Sequence, residues 1–409
     1  MGAKLHVLRL DLPGLWSDGW LYKEHLLLWS RDGRLHVVRL ADLAAEIKEL
    51  GTPPLEAVAD HLLFHTEWKT GAQFSQLLLI PGIEEKFVAG FPETGEIIVP
   101  IDKAFPVPVS TDPVPGVILD SAIYANRVYL GTIDGLFETR FDPDSPAKRN
   151  PLVERMEKRV SVISAGFSAV NGSAGEDGLW FGRMHFGDEP WWSEKSTWRQ
   201  VAEFSRSNSF ADVNLLNYTG DAFPRFLRSE TSKEKQHGNS EREDRQITGY
   251  REPADIGGLM TSALRKKRST RYHNSPELDL GLDDGSAEVL GNSGKRLLVT
   301  WDDSLRVVDL SAQPDRDLSA KQDKAFQTVA NLEIDPYAIL DTHAFGKGFL
   351  VELSKEVRLI SSQGSFTLIS EPVARIRTFA RSRRYKEVVL LIREAGVSLL
   401  GMYISQGGV

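Results

Sequence analysis

A strand-turn-strand pattern that recurs along the chain constrains its fold more than any other feature. Residues 26–40 read LLLWSRDGRLHVVRL, and residues 296–310 read RLLVTWDDSLRVVDL. In register, the two segments share Leu27/Leu297, Leu28/Leu298, Asp32/Asp302, Leu35/Leu305, Val37/Val307, Val38/Val308 and Leu40/Leu310. Two apolar runs joined by a short polar turn are typical of a β-hairpin. The sequence therefore predicts a chain built from repeated hairpins.

Other segments carry the same pattern. Residues 117–141 place a turn at Thr132–Gly135 between two strand-like runs, and residues 160–182, 287–310, 348–362 and 386–405 continue the theme. Residues 74–101 predict strands around QLLLI, KFVAGF and EIIVPI. The segment ADLAAEIKEL at 41–50 has helical spacing and good helix formers, so it predicts a short helix between sheets.

Hairpins repeated at intervals predict an array of small antiparallel sheets, as in a β-propeller. Residues 229–275 are polar and charged, and we expect them to form an insertion within a single domain that covers residues 1–409. The remaining chain of roughly 360 residues, at about 40 to 50 residues per blade, predicts seven blades within a range of about six to eight. A strand at 4–10 is expected to pair with the last blade near 397–404 and close the ring. A β-sandwich or two separate β domains is the alternative.

Two of these units also resemble known propeller repeats. The segment GTIDGLFETRF at 131–141, echoed by DGLWFG at 177–182, resembles the repeats of bacterial regulator-type propellers, and the unit at 296–310 resembles a degenerate WD40 repeat. The sequence departs from the WD40 pattern because the Gly-His pair is absent and Trp301-Asp302 falls in a turn. The resemblance therefore implies the architecture alone, since propellers serve as scaffolds, receptors and enzymes.

Composition narrows the classes of function. The chain contains no cysteine, which excludes disulfides, thiolate metal sites and a cysteine nucleophile. A formal net charge of −8 offers no overall attraction to nucleic acid or to an anionic membrane. The first residues lack an apolar signal region, and no stretch approaches the length of a membrane span, so we expect a soluble, cytoplasmic protein.

Three local motifs suggest chemistry but fail its requirements. His61 and His65 have helical i, i+4 spacing, yet a single pair leaves a zinc ion short of ligands. Residues 291–296 lack the first glycine of a phosphate-binding loop and precede a strand. The aspartates of residues 279–284 do not match the spacing of a calcium loop. We predict no metal, no cofactor and no catalytic residue, although carboxylates on different blades would leave no contiguous motif.

An aromatic loop and two basic clusters are the candidate contact sites. Residues 185–198 place three tryptophans in a loop rich in glycine, proline and charge, and such rings either anchor an interface or cover the ends of blades. The basic clusters lie at 265–271 and 375–386 and suit an acidic protein partner better than nucleic acid. The candidate partner-binding residues are Trp191, Trp192, Trp198, Arg265, Lys266, Lys267, Arg268, Arg271, Arg381, Arg383 and Arg384.

These observations favour a non-enzymatic scaffold or adaptor that binds another protein through its projecting loops. Two alternatives stay open. One is an enzyme or small-ligand binder that uses the central channel, and it predicts convergent polar side chains at one mouth. The other is a subunit of a nucleoprotein or defence complex that uses the basic loops.

Overall fold

A computed structural model describes most of the chain. It covers residues 3–51, 53–64, 78, 80, 82–91, 96–98, 113–167, 169–183, 198–211, 214–220, 225–231, 247–251, 287–293, 296–301, 304–309, 334–346, 348–361, 363–382 and 384–405.

The N-terminal part combines strands with a helical excursion. It begins with β1 (Lys4–Pro13), which is followed by sheet 1, formed by β2 (Trp16–Tyr22), β3 (His25–Ser30) and β4 (Leu35–Arg39). The excursion contains α1 (Leu40–Leu50), α2 (Pro53–Ala59), a π-helical turn (Asp60–Phe64), α3 (Ile83–Val88) and the short strand β5 (Glu96–Ile98). Helix α1 confirms the helix predicted at 41–50.

The middle of the chain forms three sheets of four strands each. Sheet 2 contains β6 (Ile118–Tyr124), β7 (Arg127–Thr132), β8 (Leu136–Arg140) and β9 (Val153–Met156). Sheet 3 contains β10 (Val162–Gly166), β11 (Ala169–Ser173), β12 (Leu179–Arg183) and β13 (Arg199–Ala202). Sheet 4 contains β14 (Ser207–Ala211), β15 (Asn214–Tyr218), β16 (Arg225–Thr231) and β17 (Ile247–Arg251).

Three further sheets complete the described structure. Sheet 5 contains β18 (Ala287–Ser293), β19 (Arg296–Trp301) and β20 (Ser304–Asp309). After a 3₁₀ turn (Pro336–Ala338), sheet 6 contains β21 (Ile339–Phe345), β22 (Gly348–Leu353), β23 (Val357–Ser361) and β24 (Gly364–Ile369). Sheet 7 contains β25 (Arg375–Thr378), β26 (Val388–Arg393) and β27 (Gly396–Ser405), and it also takes in β1 and β5 from the other end of the chain.

The sheets repeat one another in topology. Six of them consist of antiparallel strands that are consecutive in the chain, and sheet 7 is assembled from both ends. The first strands of successive sheets contact one another, from β2 against β6 to β21 against β25. Repeated small antiparallel sheets packed in this order make the protein a β-propeller, which confirms the predicted all-β propeller class.

The predicted pairing of the chain termini is confirmed. Strand β1 runs antiparallel to β27 over its whole length, from Lys4 opposite Ser405 to Pro13 opposite Gly396. Leu8, Leu10 and Leu12 of β1 are fully buried, in an apolar cluster shared with β26, β27 and the helical excursion. Burial of these side chains, worth about 1.5 to 3 kcal/mol each, ties the N-terminus to the last sheet.

Apolar clusters between facing sheets form the core. Leu27 and Trp29 of sheet 1 lie in one cluster with Val128, Leu130 and Phe137 of sheet 2. Because neighbours cover both faces, central strands such as β26 are buried almost throughout and lose the alternating pattern of a half-exposed strand. Such strands appear in the sequence as continuous apolar runs.

Two sequence predictions need correction or extension. The segment KFVAGF was predicted to be a strand, but residues 83–88 form α3, whose Ile83 and Phe87 are four residues apart and face the same apolar cluster. The predicted strand-turn-strand unit at 160–182 contains three strands rather than two, because β10 pairs with β11 and β11 pairs with β12. Strand β16 lies partly, and strand β17 wholly, within 229–275, and the division of the chain into domains stays a prediction.

Among the described helices, none is long and apolar enough to cross a bilayer.

Candidate functional site: the central cavity and its lower mouth

One cavity collects side chains from all seven sheets. Its volume is about 840 Å³, and every sheet contributes the C-terminal end of its first strand, together with the loop that follows β25. The lining includes Trp20, Tyr22, Tyr124, Ile163, Ser164, Ser209, Phe210, Asn292, Ala344, Thr378, Arg381, Arg384 and Tyr385. We call the side on which the first strands end the lower face and the side on which they begin the upper face.

A buried ionic network lies nearer the upper face. Asp18 on β2 is fully buried and accepts hydrogen bonds from Arg375 Nη1 and Arg377 Nε on β25, both at 2.8 Å. Arg377 also forms an ion pair with Asp120 on β6 at 2.5 Å. The Asp120 carboxylate in turn accepts from the backbone N–H of Ile163 on β10. These contacts link sheets 7, 1, 2 and 3 through charged groups.

The charges in this network stabilise one another. Burial alone would raise the pKa of Asp18, but the positive charges of Arg377 and Arg375 outweigh it and hold that pKa below its usual value. Burial alone would lower the pKa of Arg377, but the negative charges of Asp120 and Asp18 outweigh it and raise that pKa. Arg377 also lies 5.5 Å from the ring centroid of Trp20. Polar groups therefore converge here, as the channel hypothesis expects, but they are paired with one another.

The aspartates of the first strands share a position that sequence reasoning missed. Asp18, Asp120 and Asp341 each follow a β-bulge near the start of β2, β6 and β21. A bulge re-aims the side chain that follows it, so the residue turns away from its regular place in the sheet. The tripeptide Ile-Leu-Asp occurs at both 118–120 and 339–341, and this repeat is the sequence pattern that could have indicated the shared position of Asp120 and Asp341.

A loop from sheet 7 crosses the lower mouth. The guanidinium of Arg381 lies 4.4 Å from the ring centroid of Phe167 in sheet 3 and 4.9 Å from that of Phe210 in sheet 4. An added Cβ at Gly166 would lie 2.5 Å from Arg381 Nη2, so any larger residue there would displace the guanidinium from this position. We call residues 379–387 the strap and this contact the clasp.

The other end of the strap is attached to sheet 1. Arg384 forms an ion pair with Glu24 at 2.8 Å, and the Tyr385 hydroxyl accepts a hydrogen bond from the backbone N–H of Glu24 at 2.9 Å. Lys23 and Glu24 occupy the left-handed backbone region in the turn between β2 and β3. Non-glycine residues in this region cost energy and recur at functional sites.

The structure brings together only some of the predicted site residues. Arg381 and Arg384 lie at the lower mouth, whereas the Trp198 ring lies close to Gly182 of β12, where an added Cβ would be 2.7 Å from it. Trp198 thus covers the strands of sheet 3. Arg375 and Arg377, from the same basic cluster as the strap, point into the ionic network rather than to a rim. Trp191, Trp192, Arg265, Lys266, Lys267, Arg268, Arg271 and Arg383 lie outside the described residues.

One group of side chains has the composition of a metal site. Asp341, His343 and Glu352 bring one ligand atom each to within 4.8 Å of one another. His343 Nε2 lies 3.6 Å from Glu352 and 3.8 Å from Asp341, and Asp341 is largely exposed and accepts a hydrogen bond from the N–H of Thr342.

Of the predicted histidine pair, His61 packs edge-on against Phe87, and His65 lies outside the described residues. Residues 291–293 end β18 and Arg296 begins β19, so this segment precedes a strand, as expected, and residues 294–295 lie outside the described residues.

The chain is similar to solved structures of other proteins at low sequence identity. No protein family and no curated protein matches the sequence. Among solved structures, the computationally designed Ika8 protein is 10% identical, with a TM-score of 0.43, over 94% of this chain and 83% of that one. The WD40 domain of Pan2 from Neurospora crassa is 8% identical, with a TM-score of 0.45, over 95% and 89%. PorZ of the type-IX secretion system of Porphyromonas gingivalis is 10% identical, with a TM-score of 0.45, over 98% and 39%.

Proposed function

We propose that this chain is a closed, seven-bladed propeller that acts as a non-enzymatic, cytoplasmic protein-interaction scaffold and binds an acidic partner at its lower face. Ring closure is supported by contacts of β2 with both β25 and β26, and by the pairing of β1 with β27. The count of seven is supported by the cavity to which each of the seven sheets contributes a first strand.

The clasp is the observation that carries the interaction function. The strap begins in sheet 7, reaches sheets 3 and 4 through Arg381, and is held to sheet 1 through Arg384. A loop fixed at several points is presented in one conformation, which lowers the entropy cost of binding a partner. Arg381 remains exposed despite the aromatic contacts, and the exposed Lys386 follows in the same loop. The strap thus offers positive charge on a rigid support.

Affinity capture from the native host tests this function. We expect wild-type protein to retain a stoichiometric acidic partner, and Arg381→Gln and Arg384→Gln each to lose it. Arg149→Gln is the matched control, because Arg149 is exposed in the connection between β8 and β9. Arg381→Gln removes both the clasp and a positive charge. Hydrogen exchange of the strap shows whether a loss of capture follows from a looser strap or from the missing charge. Equal capture by all four proteins would remove the strap from the function.

The tryptophans and the other basic residues belong to the same proposal as additional contacts. Trp191, Trp192 and the cluster at 265–271 carry the residue types that anchor interfaces and meet acidic surfaces. The double substitution Trp191→Ala with Trp192→Ala is expected to weaken capture of the same partner. Capture unchanged by it would restrict the interface to the strap.

A small-ligand binder is the second candidate, and the cavity favours it. A volume of about 840 Å³ lined by Trp20, Tyr22, Tyr124 and Phe210 lies in the range of ligand pockets. Ala344→Trp should partly fill this space. Saturation-transfer NMR with a library of host metabolites is expected to show binding to wild-type protein that the substitution abolishes, if this candidate is correct.

A further inference from the structure

The upper face carries apolar side chains that its own fold leaves exposed. Nine large apolar residues are exposed within the described part of the chain, and six of them lie where first strands begin or beside those positions. Leu15 and Val117 directly precede β2 and β6 and are each 60% exposed, and Leu340 near the start of β21 is 65% exposed. Ile133, Phe204 and Tyr337 complete this group, which we call the apolar ring.

Strand pairing shows that these residues share one side of the molecule. The first strands end together at the cavity, so their starting ends lie on the opposite side. Ile133 belongs to the turn after β7, and its N–H donates to Val117 O at 3.2 Å. Phe204 precedes Ser205, which is bridged to Gly175 in the turn after β11. The turns that follow second strands therefore lie beside the apolar ring.

Those turns add negative charge in a repeated position. Asp32, Asp134 and Asp177 are all exposed, and each immediately precedes a glycine in the turn after the second strand of sheets 1, 2 and 3. Asp32 and Asp177 have cationic neighbours in Arg34 and Lys158. For Asp134 no ion pair occurs among the described residues, and its carboxylate lies over Gly116, close to Val117. Exposed apolar groups rimmed by carboxylates fit a ligand of complementary character.

The geometry points to the upper face as a second docking surface, for a protein segment that presents apolar side chains flanked by lysine or arginine. This inference rests on the proposed scaffold function and extends it, because a cationic strap below and apolar groups beside the Asp134 carboxylate above would select different partners. The contrast in charge between the two faces suits a protein that holds two others together. Ile133 and Asp134 are the residues that define this surface best, because an exposed apolar side chain and an exposed carboxylate are adjacent there.

Site-specific photo-crosslinking in the native host tests this surface. Benzoylphenylalanine would replace Ile133 on the upper face, Lys386 on the lower face, or Ile98 on β5, the outermost strand of sheet 7, as an exposed control. Mass spectrometry of the cross-linked peptide then identifies what touches each position. We expect position 133 to capture an apolar segment with neighbouring lysine or arginine, and position 98 to capture none. With the probe at Val117, Asp134→Asn should lower the yield about two- to fivefold, the range of a rim ion pair.

The outcomes separate this inference from the scaffold function. Capture of an acidic segment, of nucleic acid or of another part of this chain at position 133 would overturn the upper-face assignment. Capture at position 386 with none at position 133 would also overturn it and leave the scaffold function standing. Capture at neither position would contradict both.

Discussion

Arg377 and Asp18, separated by most of the chain, form a buried two-bond ion pair that joins sheet 7 to sheet 1. Asp18 has no exposed surface, and Arg377 continues to Asp120 in sheet 2. Charged groups removed from water are stable only when partners compensate for the lost hydration. This network therefore acts at the junction where the two ends of the chain must meet.

Removing the carboxylate of Asp18 is expected to destabilise the protein strongly. Asp18→Asn leaves two guanidinium groups near a neutral amide, and breaking a buried ion pair in this way costs about 3 to 5 kcal/mol. Urea denaturation of the full chain measures the change in the free energy of unfolding. Asp32→Asn, which alters an exposed pair with Arg34, is the matched control and should change stability little. Similar effects of the two substitutions would contradict the role of the network.

Acidification should act through the same residue. The pKa of Asp18 is lower in the folded state than in the unfolded chain, where it is about 3.9, so the folded state binds fewer protons. Its contribution to stability is complete above that unfolded value and is lost as the pH falls through the folded value. We expect wild-type stability to fall as the pH decreases below about 4, and Asp18→Asn to flatten the slope. Thermal unfolding measured across that range provides the readout.

The sequence predicts strands more readily than the contacts between them. The hairpins at 26–40 and 296–310 are both present, yet Leu27 lies opposite Val37 whereas Leu297 lies opposite Val308. The aligned sequences therefore differ by one residue in pairing, because the second hairpin has a tighter turn. The pairing of residues 4–10 with the last sheet near 397–404 could be predicted, because both segments are apolar runs that need a partner. No local pattern, however, indicated that Arg381 would cross the mouth to Phe167 and Phe210.

Strand β1 should be essential for stability, because it supplies buried residues to the last sheet. Leu10→Ala creates a cavity at a fully buried position, and such changes cost about 2 to 5 kcal/mol. Leu5→Ala on the same strand is the control, since Leu5 is only partly buried. Chemical denaturation should show a loss for Leu10→Ala that is clearly the larger. A protein lacking residues 1–13 should regain stability when a synthetic peptide of that sequence is added, and failure of this rescue would weigh against the pairing.

Two turns at the lower face test whether backbone strain supports the strap. Ala125 and Glu24 both have left-handed backbone angles, with φ values of 51° and 65°. A non-glycine residue there costs about 1 to 2 kcal/mol, and glycine relieves that cost but adds about 0.4 to 1 kcal/mol of unfolded-state entropy. Ala125→Gly should thus stabilise the protein by about 0.5 to 1 kcal/mol.

Glu24→Gly relieves the same strain and also removes the ion pair with Arg384. We therefore expect it to stabilise the protein less than Ala125→Gly does, and to increase hydrogen exchange in residues 379–387. Equal stabilisation by the two substitutions, with unchanged exchange in the strap, would mean that Glu24 does not hold Arg384 in place. The comparison separates the cost of the backbone conformation from the benefit of the contact, because both residues have positive φ values but only the Glu24 side chain carries a charge that pairs with Arg384.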